Sequence, residues 1–580
     1  MATVHAETKS GRLSAITFFF FLLLVLSLFR MQILRGEYYR GLSEKNRIRL
    51  IYLEGPRGKI LDRNGRPIVS NRLSFNCTAF LKDSKVKIKK SIQRLAPLLG
   101  EDPEAVLTRY QKKKAGVYNS VVLAEDIPAE MAMAIEEQLY LMPGIMVETR
   151  PLRQYPLGES AAHATGFIGP QTEAEQEELE FNDYRPSDWI GRDGLEKFYE
   201  SYLRGHSGGL QLEVNSRGQY IKALGVKEPQ EGRDIQLTLD ADLQAFVQKQ
   251  FQGRRGAVIV MDLSDGGILA FNSSPSYDPN LFASSKGRKE VGPYLSHEYA
   301  PMLNRAIQGQ YPPGSIFKIV TGLAALESGK IKVSSTFNCP GFHRIGKQVF
   351  RCWNEKGHGT QNLYEAYAHS CDVFFYMTGL AAGPDQIHRK ALEFGFSLVT
   401  GIDLPGEKKG AVPTKGWKLR NRSSAWFDGD TLNLAIGQGF LLITPVQALE
   451  MITIIATGGE ALRPHLVEKI DGLEVAERHS QSVAITPEYL KAVRHGLEDV
   501  VNSDTGTGRM IRIPGVRAAG KTGTAETNKH TTHAWYVGYA PVEDPKIAFV
   551  VFLEHGGHGG VECAAVAKPI LEQLKQKGYL

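Results

Sequence analysis

A chain of 580 residues is too long for one compact core, so two or more domains are expected. Hydrophobic residues make up 42% and charged residues 23%, a globular balance that excludes wholesale disorder. The net charge of +6 is mild for this length, and the basic runs "KVKIKK" (85–90) and "KKK" (112–114) have no aromatic or glycine-rich reader motif beside them; they read as solvated helix faces, and no nucleic-acid partner is expected.

Taken in chain order, the first element is "LSAITFFFFLLLVLSLF" (13–29), 17 residues without a charge. That is the lower end of what spans a bilayer as a helix. No small-x-small cleavage site follows it, so an uncleaved anchor over 13–30 is expected behind a tail of residues 1–12, rather than a signal peptide. Lys9 and Arg12 precede the span while Arg30 and Arg35 follow it, so charge does not fix its orientation.

Residues 31–232 read as a mixed, non-catalytic domain. "RGKILDRNGRPIVSN" (57–71) predicts two strands joined by an Asn64-Gly65 turn. Residues 86–142 read as amphipathic helix. "GRDGLEKFYESYLRG" (191–205) predicts a helix with Leu195, Phe198, Tyr199 and Tyr202 on one side, closed by Gly205. None of these segments places a reactive group.

Near 233 the pattern changes. "DIQLTLDADLQAFVQKQF" predicts a strand and then a helix capped by Asp240 or Asp242, and "GAVIVMDLSDGGILAFNS" (256–273) a hairpin turning at 264–267. Near the other end, "VRAAGKTGTAE", "HAWYVGYAP" and "KIAFVVFLEHG" predict three strands before a helix at 563–577. With helices between, the expectation for 233–580 is an α+β domain whose single antiparallel sheet is assembled from both of its ends.

The chemistry concentrates in "QYPPGSIFKIV" (310–320). Apolar residues at Ile316, Ile319, Val320, Leu323 and Leu326 have the spacing of a buried helix, which Gly329 can stop. Ser315 at its mouth has a plain alternative role as an N-cap. Lys318 does not share it: an ammonium one turn on, beside the hydroxyl and near the core, loses basicity through burial and becomes a usable base. The helix start adds N–H groups where an oxyanion could form. S-x-x-K alone recurs by chance in a long chain. Here it is followed by "HSCDVFFY", with Ser370 and Asp372 at a helix entry, and by "KTGTAE", with Lys521, Thr522 and Gly523 on a strand. A lysine and a hydroxyl there can hold a carboxylate, and the glycine lets a substrate backbone lie along the strand edge.

The ordered set S-x-x-K, S-x-D and K-T-G resembles the site of class B penicillin-binding proteins, serine transpeptidases of the cell wall. The resemblance runs from the anchor through "RGKILDRNG" and "RPLRQYPLGESAAHATGFIG" (150–169). It continues with "SSPSYDPN" (273–280), "NRAIQGQYPPGSIFK", "AIGQGFLLITPVQAL" (435–449) and "GKTGTAE…HAWYVGYAP". "SCDVFFY" and the "CW…GHG" stretch are similar to the penicillin-binding protein 2 type, the elongation enzymes. The resemblance implies an elongated pedestal (dimerisation-like) domain at 31–232 and a transpeptidase domain at 233–580 outside the bacterial cytoplasmic membrane, with residues 1–12 cytoplasmic. It implies that Ser315 is acylated by a stem peptide, that Lys318 takes its proton, and that Ser370 bridges Lys318 and Lys521. N–H groups of Ser315 and Thr524 would form the oxyanion hole, while Lys521, Thr522 and Thr524 would hold the substrate carboxylate. Implied partners are peptidoglycan stem peptides, β-lactams, a membrane glycosyltransferase and the rod-shape elongation complex. The usual second motif is S-x-N; Asp372 replaces Asn, and since a carboxylate donates no hydrogen bond its contact must differ or run through Lys318. Three alternatives remain: a division-type transpeptidase, a D,D-carboxypeptidase or β-lactamase sending the acyl group to water, and a scaffold that activates a glycosyltransferase.

Of five cysteines, Cys339, Cys352 and Cys371 with His358 form a set suited to tetrahedral zinc. A Cys339–Cys352 disulfide and buried free thiols are the competing readings. Four protein ligands would make zinc structural, and Cys371 would let it pin the second motif. Among weaker features, "GQGFLL" (437–442) lacks the third glycine and strand–helix setting of a dinucleotide loop. "EHGGHGG" (554–560) reads as a rim loop, His530 and His533 as cleft-lining residues, and Phe374, Phe375 and Tyr376 as core. No organic cofactor is expected.

Overall fold

The computed structural model describes the chain except for residues 1, 40–47, 81–84, 114–119, 180–183, 186–187, 215–219, 285–286, 476–479 and 528–530. Ala2–Phe29 is a single helix, α1. Within and just beyond it, Ile16–Leu34 has a mean hydropathy of 2.1 and is not buried by protein. Its 19 residues are long and apolar enough to cross a membrane.

The chain divides into two units that alternate along the sequence: one holds 1–56, 73–151 and 205–231, the other 57–72, 152–204 and 232–580. The first unit contains a three-stranded antiparallel sheet of Ile48–Leu53, Gly208–Val214 and Tyr220–Lys227 in that order. It also contains a core in which Ile88, Ile92, Leu95 and Val106 of two helices pack with Cys77, Val121, Leu123 and Ile135. Residues 86–142, expected to be helical throughout, hold helices Lys85–Leu99, Pro103–Lys113 and Ala129–Glu136 but also a strand, Ser120–Ile127. The β-branched pair Val121-Val122 meets Ala79 and Thr78 across an antiparallel ladder, and that pairing outweighs the helical pattern of its neighbours.

In the second unit the Asn64-Gly65 turn is present. Gly65 has φ +79°, and Asp62 Oδ1 accepts the Asn64 and Arg66 N–H groups. The helix expected over 191–205 is two short helices, Gly194–Phe198 and Glu200–Leu203. Their buried side is Leu195, Glu196 and Leu203, while Phe198 and Tyr202 stay exposed. The reason is charge: Glu196, fully buried, accepts Arg153 Nε at 2.7 Å and Arg57 Nη2 at 2.8 Å, so the ion cluster decides which face turns inward.

The unit is built on a five-stranded antiparallel sheet. A hairpin of β1 (Gly256–Asp262) and β2 (Ile268–Ser274) joins three strands from far along the chain, β3 (Ala519–Glu526), β4 (Thr532–Ala540) and β5 (Ile547–Leu553), in the order β2-β1-β5-β4-β3. Every residue of β2 and β5 is buried, which is why "IAFVVFL" is apolar without alternation. Between β2 and β3 come α2 (Lys318–Glu327), α3 (Leu363–Ala368), α4 (Asp372–Ala382), α5 (Lys415–Arg422), α6 (Pro445–Thr457) and α7 (Pro487–Asn502), and α8 (Ala564–Gln576) follows β5. Helix α6 packs on β1, β4 and β5, and α2 packs on α4 and α7. This α+β arrangement leaves β3 at the sheet edge.

Candidate active site

Ser315 sits in the short 3-10 turn Gly314–Phe317 that leads into α2, and it is half-buried. Gly314 has φ +57°, a conformation that glycine adopts freely. Backbone crowds this turn. A Cβ on Gly314 would lie 2.6 Å from the Thr524 carbonyl oxygen, and one on Gly437 would lie 2.1 Å from the Gly314 oxygen. Trp535 Nε1 donates to the Pro312 oxygen at 3.0 Å, tying the approach to β4. The α2 cap is Phe317, with no side-chain hydrogen bond, so capping is not what Ser315 does.

Lys318, the first residue of α2, is fully buried. Its Nζ donates to Asp372 Oδ1 at 2.7 Å, to the Ser370 carbonyl at 2.8 Å and to Ser370 Oγ at 3.3 Å. Those three acceptors surround the lysine nitrogen and tie the first motif to the second. Ser370 closes α3 at φ +54°, a left-handed conformation that costs a non-glycine residue energy and is found at functional positions. Asp372 then opens α4, where the helix N-terminus favours its carboxylate, and Oδ2 accepts the Trp353 backbone N–H at 2.9 Å. The Asp372 contact thus runs through Lys318.

On β3, Lys521 is also fully buried and, among the described residues, donates only to the Thr522 carbonyl, at 3.1 Å. Burial, reinforced by the charge of Lys318 and opposed by Asp372, holds its amine well below the ordinary lysine range. Thr522 Oγ1 donates to Thr507 Oγ1 at 2.9 Å, and Thr524 Oγ1 accepts the Gly559 N–H at 3.2 Å. Gly523 faces Pro313 and Ile316, where a Cβ would be 2.9 Å and 3.0 Å from their atoms. The three motifs therefore meet, with two contacts missing: among the described residues no hydrogen bond joins Ser315 Oγ to Lys318 Nζ or Ser370 Oγ to Lys521 Nζ. Lys318 instead spends its donors on the second motif.

Sequence reasoning missed Trp353 and Thr507. Trp353 is 61% exposed, yet its Nε1 donates to the His369 carbonyl at 2.9 Å while its main chain holds Asp372. Main-chain donation carries no sequence signal; the small-residue run "SDTGTG" around Thr507 is the only hint for the second. His533 does not line a cleft. It is buried, it accepts the His555 N–H through Nδ1, and burial lowers its pKa to about 4. His530 lies outside the described residues. The "EHGGHGG" loop meets β3 at Thr524, and Phe374, Phe375 and Tyr376 are core.

Next to the second motif, ligand atoms of Cys339, Cys352, His358 and Cys371 all lie within 4.8 Å of one another. His358 Nδ1 is 3.5 Å from Cys352 Sγ and 3.7 Å from Cys339 Sγ. All five cysteines are free thiols, so the disulfide reading is not realised. Hydrogen bonds from the Cys371 thiol and His358 favour a Cys352 thiolate against the cost of burial.

A serine at a buried helix mouth, a buried lysine joined to a second serine, and a sheet edge carrying Lys521 and Thr522 have the pattern of an acyl-transfer enzyme of the penicillin-recognising serine type. The family comparison agrees. Residues 256–572 match the penicillin binding protein transpeptidase domain and 52–237 the penicillin-binding protein dimerisation domain. The chain belongs to the penicillin-binding protein family. It is 35% identical to the peptidoglycan D,D-transpeptidase MrdA of Acinetobacter baumannii, over 93% of this chain and 84% of that one. The penicillin-binding protein 2 of Helicobacter pylori, solved in complex with MreC, superposes with TM-score 0.83 at 32% identity, covering 92% of this chain and 99% of that one. A chain of a peptidoglycan synthase complex that coordinates polymerization and crosslinking has TM-score 0.73 and 33% identity, covering 97% and 98%.

Proposed function

We propose that this chain is a peptidoglycan D,D-transpeptidase of the elongation type, working through an acyl-enzyme on Ser315. The observation that carries the reading is the buried Lys318 joined to Ser370 and Asp372 behind Ser315, with the Lys521–Thr524 segment of β3 at the sheet edge beside it. A substrate backbone can add to that edge as a further strand, and Lys521, Thr522 and Thr524 can bind its terminal carboxylate.

In the proposed cycle Lys318 passes a proton through Ser370 Oγ to Lys521, the amine that burial keeps toward neutrality, once the Ser370 side chain turns to reach it. Lys318 then takes the Ser315 proton as Oγ attacks the carbonyl of the penultimate D-Ala. N–H groups of Ser315 and Thr524 stabilise the oxyanion. The C–N bond breaks, and the terminal D-Ala leaves with a proton returned through Ser370. An amine of a second strand attacks the ester; the C–O bond breaks as the cross-link forms, and the proton the amine loses returns by way of Lys318 to Ser315 Oγ, freeing the serine. A β-lactam follows the first half and stops at the ester.

The apolar N-terminal segment would anchor the chain in the bacterial cytoplasmic membrane, with residues 31–580 on the wall side. Partners of the kinds named for the relatives, a peptidoglycan polymerase and an MreC-like protein, fit that placement. For the thiol–imidazole set we propose structural zinc. Bonds of about 2.0–2.3 Å in a tetrahedron separate ligand atoms by roughly 3.5–3.8 Å, close to the distances of His358 Nδ1 from the Cys352 and Cys339 sulfurs here. Metal analysis of chain purified without chelator is expected to give one zinc per chain, lost in Cys339→Ser.

The activity is tested by incubating the full chain with a polymerase and lipid-linked precursor. Cross-linked dimers that vanish in Ser315→Ala are the expected outcome. Hydrolysed monomers in place of dimers would make it a carboxypeptidase, and dimers persisting in Ser315→Ala would remove the mechanism.

A further inference from the structure

Helix α5 is unusual for a protein surface. Its only buried side chain is Lys418, which reaches Asp430 at 2.6 Å, and Leu419 is 60% exposed. A helix with so little apolar packing is held by few contacts of its own and presents the rest outward. What it presents is aromatic and cationic. Trp417 packs on Phe440 with ring centroids 5.5 Å apart, and the Arg422 guanidinium lies 5.3 Å over the same Phe440 ring. Lys418 Nζ lies 4.8 Å over Phe427, a ring 63% exposed. Residues 408–422 contain six Lys or Arg and no Asp or Glu. Arg420 and Arg422 are exposed, and no carboxylate pairs with either among the described residues.

This ledge is continuous with the catalytic turn. Gly314 N donates to the Gly437 carbonyl at 2.9 Å, and Phe440 follows Gly437 by three residues, a reach of about 10 Å at most. Gly439 between them is exposed and has φ +77°, so the chain turns outward from the serine to the ledge.

We propose that the ledge formed by α5, Phe427 and Phe440 binds the glycan-bearing part of the peptidoglycan strand whose stem peptide reacts at Ser315. The inference rests on the transpeptidase reading of that site. Sugar rings present apolar C–H faces that pack flat on exposed aromatic rings. Stem peptides carry carboxylates, and two unpaired guanidinium groups match them in charge and in bidentate geometry. A small β-lactam reaches only the serine turn and has no use for the ledge.

The test uses full-length chain in detergent and the variants Arg420→Glu/Arg422→Glu and Phe427→Ser, all at exposed positions. The expected results are an unchanged rate of Ser315 acylation by benzylpenicillin, and co-sedimentation with purified wall sacculi weakened about tenfold or more, most at low salt for the arginine pair. Transfer to a sugar-free stem peptide should remain in Phe427→Ser. Undiminished sedimentation of both variants would overturn the proposal, as would equal loss of penicillin acylation, which would assign the ledge to folding. Absence of acylation in the unaltered chain would instead remove the transpeptidase reading itself.

Discussion

Two fully buried lysines belong to this site, and their surroundings differ. Lys318 has Asp372 at 2.7 Å, whereas Lys521 donates to the Thr522 carbonyl oxygen and lies in the opposing fields of Lys318 and Asp372. Burial holds the Lys521 amine of the third motif well below the ordinary lysine range, a shift that sequence did not assign to it. The sign of the pH effect follows. Between its lowered folded value and the ordinary 10.5, Lys521 is neutral in the folded chain and protonated in the unfolded one. Folding then releases a proton, so this residue costs stability at neutral pH, and the cost shrinks by about 1.4 kcal/mol per pH unit as pH rises toward 10.5. Lys521→Met is therefore expected to be more resistant to denaturant than the parent, with a larger margin at pH 7 than at pH 10, and to lose acylation. An equal margin at both pH values would contradict a neutral Lys521. Asp372→Asn removes the charge that Lys318 meets. Breaking a buried pair by removing one partner costs about 3–5 kcal/mol, and Asn still offers an acceptor, so a loss near the lower figure is expected in chemical denaturation.

Much of the second unit's architecture was legible as elements. The apolar runs 256–261 and 547–553 are strands because both faces are covered, and Asn64-Gly65 turned as its chemistry requires. Ser120–Ile127 was not legible, because its partner strand lies some forty residues earlier and only pairing decides it. The face of 191–203 was misjudged since burial of Glu196 depends on Arg57 and Arg153, both far away in sequence. In the site, Ser315, Lys318, Ser370, Asp372 and Lys521 could be named from motif spacing. The Trp353 N–H on Asp372 could not, because any residue supplies an N–H. The closest backbone approach gives a sharp test of how these elements hold the serine. Gly437 has φ +78° and no room for a Cβ against Gly314, so Gly437→Ala is expected to cost several kcal/mol, roughly the upper range for a single substitution, and to abolish acylation. Unchanged thermal stability and acylation of that variant would show that the turn is not set by this contact.

At the scale of the molecule, the transpeptidase unit is not a continuous piece of chain. Strand residues Ile60 and Leu61 pair with Ile235 and Gln236, and residues 152–204 belong to the same unit. A fragment of 233–580 lacks these segments and is expected to expose buried apolar surface and precipitate, whereas 57–580 retains them. A soluble, penicillin-reactive 233–580 would contradict the interleaving. All of this serves one nucleophile. The most direct measurement is peptide mapping by mass spectrometry after the full chain has reacted with benzylpenicillin. A long-lived adduct on the peptide bearing Ser315, and on no other, is the expected result. An adduct on a different residue, or an ester that hydrolyses as fast as it forms, would contradict the account.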